Sequence, residues 1–187
     1  MTSRYTDEWT ASLLNAERRL SGLTPEELME EAGLRPGMTV VDYGCGPGFL
    51  TLPAAKKVGA AGKVYALDIH EGMVALIESR AAEAGLANVT ALLNDGPEAP
   101  LPDSVADLIL CTLVFHYKES RDERQVLADD LARLLKPGGC AMLVQWEDRA
   151  PYEETFEILT NAGLTCGVPS SVVERQYRLK ATKPGVS

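Results

Sequence analysis

Short apolar runs alternate with stretches of helical period along almost the whole chain. That alternation is the signature of βαβ units, which build a parallel sheet covered by helices on both faces. Trp9, Leu13, Leu14 and Leu20 recur at helical spacing before Ser21-Gly22, predicting a helix ahead of the sheet. A second helix begins at Thr24-Pro25-Glu26-Glu27, where Thr24 can cap, Pro25 suits the first helical position and Glu27 completes a capping box. It ends near Gly33, and Pro36-Gly37 turns the chain into a strand over Thr39 to Tyr43. Gly44-Cys45-Gly46-Pro47-Gly48 follows at once and leads into a helix through Ala54 and Ala55.

The same alternation predicts strands over Val64 to Ile69 and Val89 to Leu93, with a helix between them across Met73, Leu76 and Ile77 to Gly85. Pro97, Pro100 and Pro102 make Gly96 to Ser104 a loop. Ala106 to Thr112 is apolar almost throughout, as expected of a strand buried on both faces. Val126, Leu127, Leu131, Leu134 and Leu135 share one face of a helix near Arg121 to Leu135, which Lys136-Pro137-Gly138-Gly139 stops before a strand over Cys140 to Trp146. A helix around Glu153 to Ala162 and strands near Leu164 to Val168 and Gln176 to Thr182 complete the pattern. The short connection between those last strands predicts an antiparallel hairpin on a sheet edge, and Lys183 to Ser187 is expected to fray.

The 187 residues suffice for one sizeable core. With 45% hydrophobic and 24% charged residues the composition is that of an ordinary globular domain. The 18 basic against 27 acidic residues give a net charge of −9, which disfavours broad contact with nucleic acid or anionic lipid. No run approaches the roughly 18 apolar residues of a membrane span, and charge at the N-terminus stands where a signal peptide needs an apolar core. A cytoplasmic location follows as an expectation. Four scattered cysteines, at 45, 111, 140 and 166, form no framework or zinc pattern, and two histidines cannot build a multi-histidine metal site; no metal is expected.

Three glycines in five residues between strand and helix let a ligand approach the main chain without meeting a Cβ. Asp42, near the end of the first strand, would attract a cation and sit badly beside a pyrophosphate. Asp68 closes the second strand, where a carboxylate can accept hydrogen bonds from both hydroxyls of a ribose. Together they point to a ribosylated ligand carrying positive charge. Each has a plainer alternative: Asp42 capping the next turn, Asp68 ending a strand, Asn94-Asp95-Gly96 as a generic turn.

Val41 to Gly48 resembles motif I of the class I S-adenosylmethionine (SAM)-dependent methyltransferases, and the small type-11, UbiE-like branch most of all. The resemblance continues through Asp68, Asn94-Asp95-Gly96, Asp107 to Cys111 and Leu134 to Gly139, and covers roughly residues 24 to 182. It implies an α/β, Rossmann-like doubly wound sheet of seven strands, mostly parallel with the last antiparallel. Residues 24–182 would form the SAM-binding domain, with 1–23 a helical segment that could close as a lid and 183–187 a tail. It implies that Gly44, Cys45 and Gly46 lie against the methionine part, with Asp42 supporting its ammonium end and Tyr43 and Gly48 completing the loop contacts. Asp68 would hold the ribose, Ile69 the adenine face, Asp95 the adenine amino group with the Gly96 backbone alongside. The carbonyls of Cys111 and Leu113 would face the methionine amino group.

The activity so implied is in-line methyl transfer from SAM to a small-molecule acceptor through O, N, S or C, leaving S-adenosylhomocysteine. His116, at the ligand edge after the fourth strand, is a candidate base for a protonated acceptor, or else a residue that orders the loop. Glu147, Asp148 and Arg149 could line the acceptor pocket or be solvated. Cys45 has no cationic setting to make it a nucleophile. Two alternatives stay open: an NAD-dependent oxidoreductase, which the G-x-G-x-G spacing suits less well than G-x-G-x-x-G would, and a SAM-binding sensor or scaffold without catalysis.

Overall fold

A computed structural model describes residues 24–173 and 175–185. The helix expected over the first twenty residues, its lid role and the last two residues of the tail lie outside the described residues. Helix α1 (Pro25–Ala32) opens on the expected capping box, Thr24 Oγ1 accepting from Glu27 N at 3.2 Å and Glu27 Oε2 from Thr24 N at 3.0 Å. Gly33 ends it in the left-handed conformation.

The chain then runs β1 (Thr39–Tyr43), α2 (Thr51–Val58), β2 (Lys63–Asp68), α3 (Glu71–Glu83), β3 (Val89–Leu93), β4 (Ala106–Thr112), a 3₁₀ turn at Phe115–Tyr117, α4 (Arg121–Leu134), β5 (Leu135–Trp146), α5 (Tyr152–Asn161), β6 (Thr165–Cys166), β7 (Ser170–Val173) and β8 (Gln176–Thr182). The strand order is β3-β2-β1-β4-β5-β8-β6, with β7 also on β8. Neighbours from β3 to β5 are parallel, and β8 is antiparallel to everything it touches. Because β6 pairs with Thr182 and Ala181 while β7 pairs with residues 176 to 178, the two are pieces of one edge strand. The sheet therefore has seven strand positions, with only β8 reversed, in the Rossmann-like arrangement expected.

Two details differ from the sequence expectation. The strand expected over Leu164 to Val168 stops at Cys166, and Val168 is 92% exposed; Pro169 has no N–H to continue the ladder, so pairing resumes only at Ser170. The antiparallel hairpin expected on a sheet edge is present, with β6 and β7 lying along the outer side of β8. In addition, β5 begins at Leu135 and runs through Pro137-Gly138-Gly139, where Gly138 has φ of +81°, with a register shift against β4 between Ala106 and Leu108.

Alternate residues of β4 feed opposite cores. Leu108 and Leu110 pack with Leu28, Val40 and Val58 under α1 and α2, while Ile109 and Cys111 pack with Leu127, Leu131 and Leu143 under α4. Burial on both faces explains the nearly unbroken apolar run, each such Leu or Ile contributing about 2 kcal/mol. From β1 the chain builds outward to β3 and then returns to place β4 on the other side of β1. The carboxyl ends of β1 and β4 thus flank a topological switch point, where open α/β sheets bind ligands.

Gly62, just before β2, tests the packing that sets β2 against α2. A Cβ there would stand 2.5 Å from Val58 Cβ and 2.7 Å from the Met38 carbonyl oxygen. Gly62→Ala is expected to lose about 1–3 kcal/mol of stability in urea unfolding.

Candidate cofactor site

The glycine loop leaves β1 at the switch point. Gly44 N and Cys45 N both donate to Leu67 O at 2.8 Å, and Gly48 N donates to Cys45 O at 3.0 Å. Gly44, Gly46 and Gly48 have φ of +77°, +48° and +89°, a region that strains residues with a Cβ. Their surroundings differ. A Cβ on Gly44 would stand 2.6 Å from Val114 Cγ2, and one on Gly48 would run into Ile77 Cδ1, so both glycines permit close packing. Gly46 has nothing within 4 Å of that position and so faces open space.

Two opposite charges hold the loop from the α3 side. Asp68 Oδ2 accepts from Gly46 N at 2.8 Å, while Oδ1 accepts from His70 N at 2.9 Å. Arg80 Nη1 donates to Pro47 O at 2.6 Å. His70 caps α3, its Nδ1 accepting from Gly72 N at 3.2 Å. Nothing in the sequence around Arg80 singles it out: it is one polar position on an amphipathic helix.

Asp42 is 1% exposed, and Thr51 Oγ1 donates to its Oδ2 at 2.6 Å. Burial, countered in part by the Thr51 hydrogen bonds and reinforced by the neighbouring Asp68 charge, pushes its carboxyl up to about 7. Burial raises Asp68 as well, against the hydrogen bonds from Gly46 and His70. The Cys45 thiol is pushed well above its usual range by burial and by both carboxylates, which is the opposite of an activated nucleophile. Thr51 was not anticipated; a hydroxyl opening the helix right after a glycine loop, behind an acidic strand end, is the signal that marks it.

The remaining expected residues gather along the same edge. Asp95 and Gly96 are exposed just beyond β3, and Ile69, 57% exposed, stands beyond Asp68. Asn94 lies between them, its N donating to Asp68 O at 2.8 Å and its buried Oδ1 lacking a donor. Cys111 O accepts from the buried Gln145 Nε2 at 3.3 Å. Leu113 has φ of +58° and donates its N to Val144 O at 2.7 Å; a branched side chain in that region signals a strained turn at the end of β4. The half-buried His116 follows, its ring 4.1 Å from that of Tyr117.

Two of the expected contact residues have enclosed side chains. Asp42 is buried, its carboxylate on the Thr51 hydroxyl. The Tyr43 side chain lies in the core with its hydroxyl on Asp130 Oδ2 at 3.0 Å. Glu147 is engaged by the fold, its carboxylate accepting from Tyr152 N at 3.3 and 3.4 Å. Asp148 pairs with Arg175 at 3.5 Å, and the Arg149 carbonyl accepts from Arg124.

Residues 40–139, more than half of the chain, match the family described as "Methyltransferase domain". A ubiquinone/menaquinone biosynthesis C-methyltransferase UbiE of Cupriavidus taiwanensis is 32% identical over 129 residues, which cover 68% of this chain and 51% of that protein. The nocamycin O-methyltransferase of Saccharothrix syringae is 35% identical over 112 residues, 60% of this chain and 39% of that one. The chain thus spans about half or less of the length of these relatives. A crystal structure of a SAM-dependent methyltransferase from Aquifex aeolicus superposes with a TM-score of 0.80 at 30% identity, covering 92% of this chain and 97% of that one. The chain belongs to the methyltransferase-domain family and has the fold of its class I, SAM-dependent members. No helix among the described residues is long and apolar enough to cross a membrane.

The raised Asp42 carboxyl has a measurable sign. Its folded value of about 7 lies above the ordinary carboxylate value of 3.8, so the native state keeps a proton that the unfolded chain releases. Its contribution to stability is greatest below that ordinary range and is lost as pH rises through about 7. Asp42→Asn stays neutral and can still accept from Thr51. In urea unfolding without ligand, the stability of Asp42→Asn relative to the unaltered chain is expected to rise between pH 4 and 8 by up to ~4 kcal/mol; a pH-independent difference would contradict the assignment.

Proposed function

We propose that the chain transfers a methyl group from SAM to a small-molecule acceptor by in-line displacement. The observation that carries this reading is the pair of buried carboxylates, Asp42 and Asp68, flanking an open glycine cradle at the carboxyl edge. Two such charges favour a cationic ligand and oppose the pyrophosphate of a dinucleotide, which also argues against an NAD-dependent oxidoreductase. The fit extends beyond charge. Gly46 opens the loop to a ligand, and the Asn94 acceptor without a donor suits a ligand bearing hydroxyl or amino hydrogens.

SAM, when bound, supplies a methyl group already activated by a sulfonium. The chain's own task is then to position and to exclude water. Asp68 takes the ribose hydroxyls with the lone pairs that Gly46 and His70 leave open. Asp95, Gly96 and Ile69 hold the adenine, and the Gly44 to Gly46 backbone holds the methionine part. The strained turn at Leu113 presents the Cys111 and Leu113 carbonyls to the ammonium group, and Asp42 stabilises that positive charge from below. His116 takes the proton of an acceptor that arrives protonated. The net charge of −9 argues for an acceptor other than nucleic acid, and the four free cysteines suit a reducing cytoplasm.

Isothermal titration tests the cofactor assignment directly: S-adenosylhomocysteine is expected to bind and NAD is not. Asp68→Ala should weaken that binding at least about tenfold, a loss of ~1.4 kcal/mol or more; unchanged affinity would remove Asp68 from the ribose role. Transfer of a labelled methyl group from SAM across a panel of small acceptors tests catalysis, and tight binding with no transfer would favour a sensor. His116→Asn is expected to lower kcat by roughly 10²-fold while the affinity for S-adenosylhomocysteine stays as in the unaltered chain.

A further inference from the structure

The loop that carries Asp95 and Gly96 is long and contains three prolines, yet its far end is tied to the middle of the molecule by one acid and one base on α4. Asp130 is 2% exposed, and each of its oxygens takes two donors. Oδ2 accepts from Tyr43 Oη at 3.0 Å and Ala99 N at 2.9 Å, and Oδ1 accepts from Arg133 Nε at 3.0 Å and Nη2 at 2.6 Å. Arg133 spends its other contacts on the same loop. Nη1 donates to Leu101 O at 2.8 Å and Asp103 Oδ1 at 2.9 Å, and Nη2 to Ala99 O at 3.0 Å. The Arg133 carbonyl accepts from Ser104 N at 2.9 Å.

Such saturation is what a buried carboxylate requires, but the identity of the partners is specific. Tyr43 is the residue immediately before the glycine loop, and the Asn94 side chain also lies against its hydroxyl. Ala99 is four residues beyond Asp95. Asp130 therefore holds both walls of the cleft: the glycine loop through Tyr43 and the adenine-side loop through Ala99 and Arg133. The guanidinium is a planar fork, and its bonds to the Ala99 and Leu101 carbonyls fix the path of the loop rather than neutralising charge alone.

We infer that Asp130 and Arg133 are positioning residues for the adenine end of the cofactor, setting the loop so that Asp95 meets the base. The inference rests on the SAM reading above. Neither residue touches the ligand; both act through the loop they fix. Lysine at 133 would keep the charge beside Asp130 but could not reach Ala99, Leu101 and Asp103 together.

The test compares two ligands that differ at the adenine 6-amino group, S-adenosylhomocysteine and S-inosylhomocysteine, by isothermal titration with the full chain and with Arg133→Lys. The unaltered chain is expected to prefer the amino ligand. In Arg133→Lys the affinity for S-adenosylhomocysteine should fall about tenfold, and the preference should shrink because S-inosylhomocysteine loses less. In turnover, KM for SAM should rise while kcat holds. Tyr43→Phe, which removes a single hydroxyl from the opposite arm, should move the preference the same way and serves if Arg133→Lys does not fold. A folded variant with the wild-type preference, or one that loses affinity for both ligands equally, overturns the inference while leaving the SAM reading intact. Failure of the unaltered chain to bind S-adenosylhomocysteine overturns both.

Discussion

The hydrogen bond from Gly46 N to Asp68 Oδ2 ties the end of β2 to the loop that leaves β1, and the geometry of the cleft depends on it. A carboxylate this buried is costly unless its lone pairs are used; Gly46 and His70 use two of them. The same pair of bonds fixes the turn into α3. That turn in turn sets Ile77 against Gly48 and Arg80 against Pro47. The loop is thereby shaped before any ligand arrives, with Gly46 left facing open space. Preorganisation of this kind lowers the ordering cost that binding would otherwise incur.

The sheet explains why the cradle sits where it does. Parallel strands bring their carboxyl ends to one edge, and the reversal of direction from β3 back to β4 leaves a crevice between the loops that follow β1 and β4. Val114 packing against Gly44 and the positive φ of Leu113 belong to the β4 side of that crevice. On the other flank β8 runs against β5 over seven paired positions and carries Tyr177, whose hydroxyl donates to the Ala150 carbonyl and accepts from the Thr155 hydroxyl near the start of α5. The antiparallel end of the sheet thus secures α5 and the loop after β5, where Glu147 accepts from Tyr152 N and Asp148 pairs with Arg175.

What could be read from the sequence was local. The Thr24 capping box spans four residues, the glycine loop sits between one strand and one helix, and Asp68 ends the next strand; each is a short-range pattern with a physical cause. The partners of these residues were not legible, because they come from elsewhere in the chain. Arg80 reaches Pro47 across 33 positions and Tyr43 reaches Asp130 across 87, and no periodicity reports such a meeting. Tyr43 illustrates the consequence: its place beside the glycines suggested a ligand contact, whereas its ring is needed in the core. The broken edge strand is a different case. Pro169, whose missing N–H interrupts the ladder, is itself a short-range signal in the sequence.

Charge is the property in which the cleft and the proposed reaction meet. Burial raises the cost of ionising both Asp42 and Asp68, and the Asp68 charge adds to it at Asp42, which is sealed from water. A ligand with ammonium and sulfonium charges relieves that cost and draws both carboxyls back toward ionisation. Methyl transfer converts the sulfonium to a neutral thioether, so the spent ligand relieves less of it. On the proposed reading the same buried carboxylates would hold the product more weakly than the methyl donor. Discrimination between donor and product can in this way be built into β1 and β2 themselves, leaving the loops after β4 and β5 to select the acceptor.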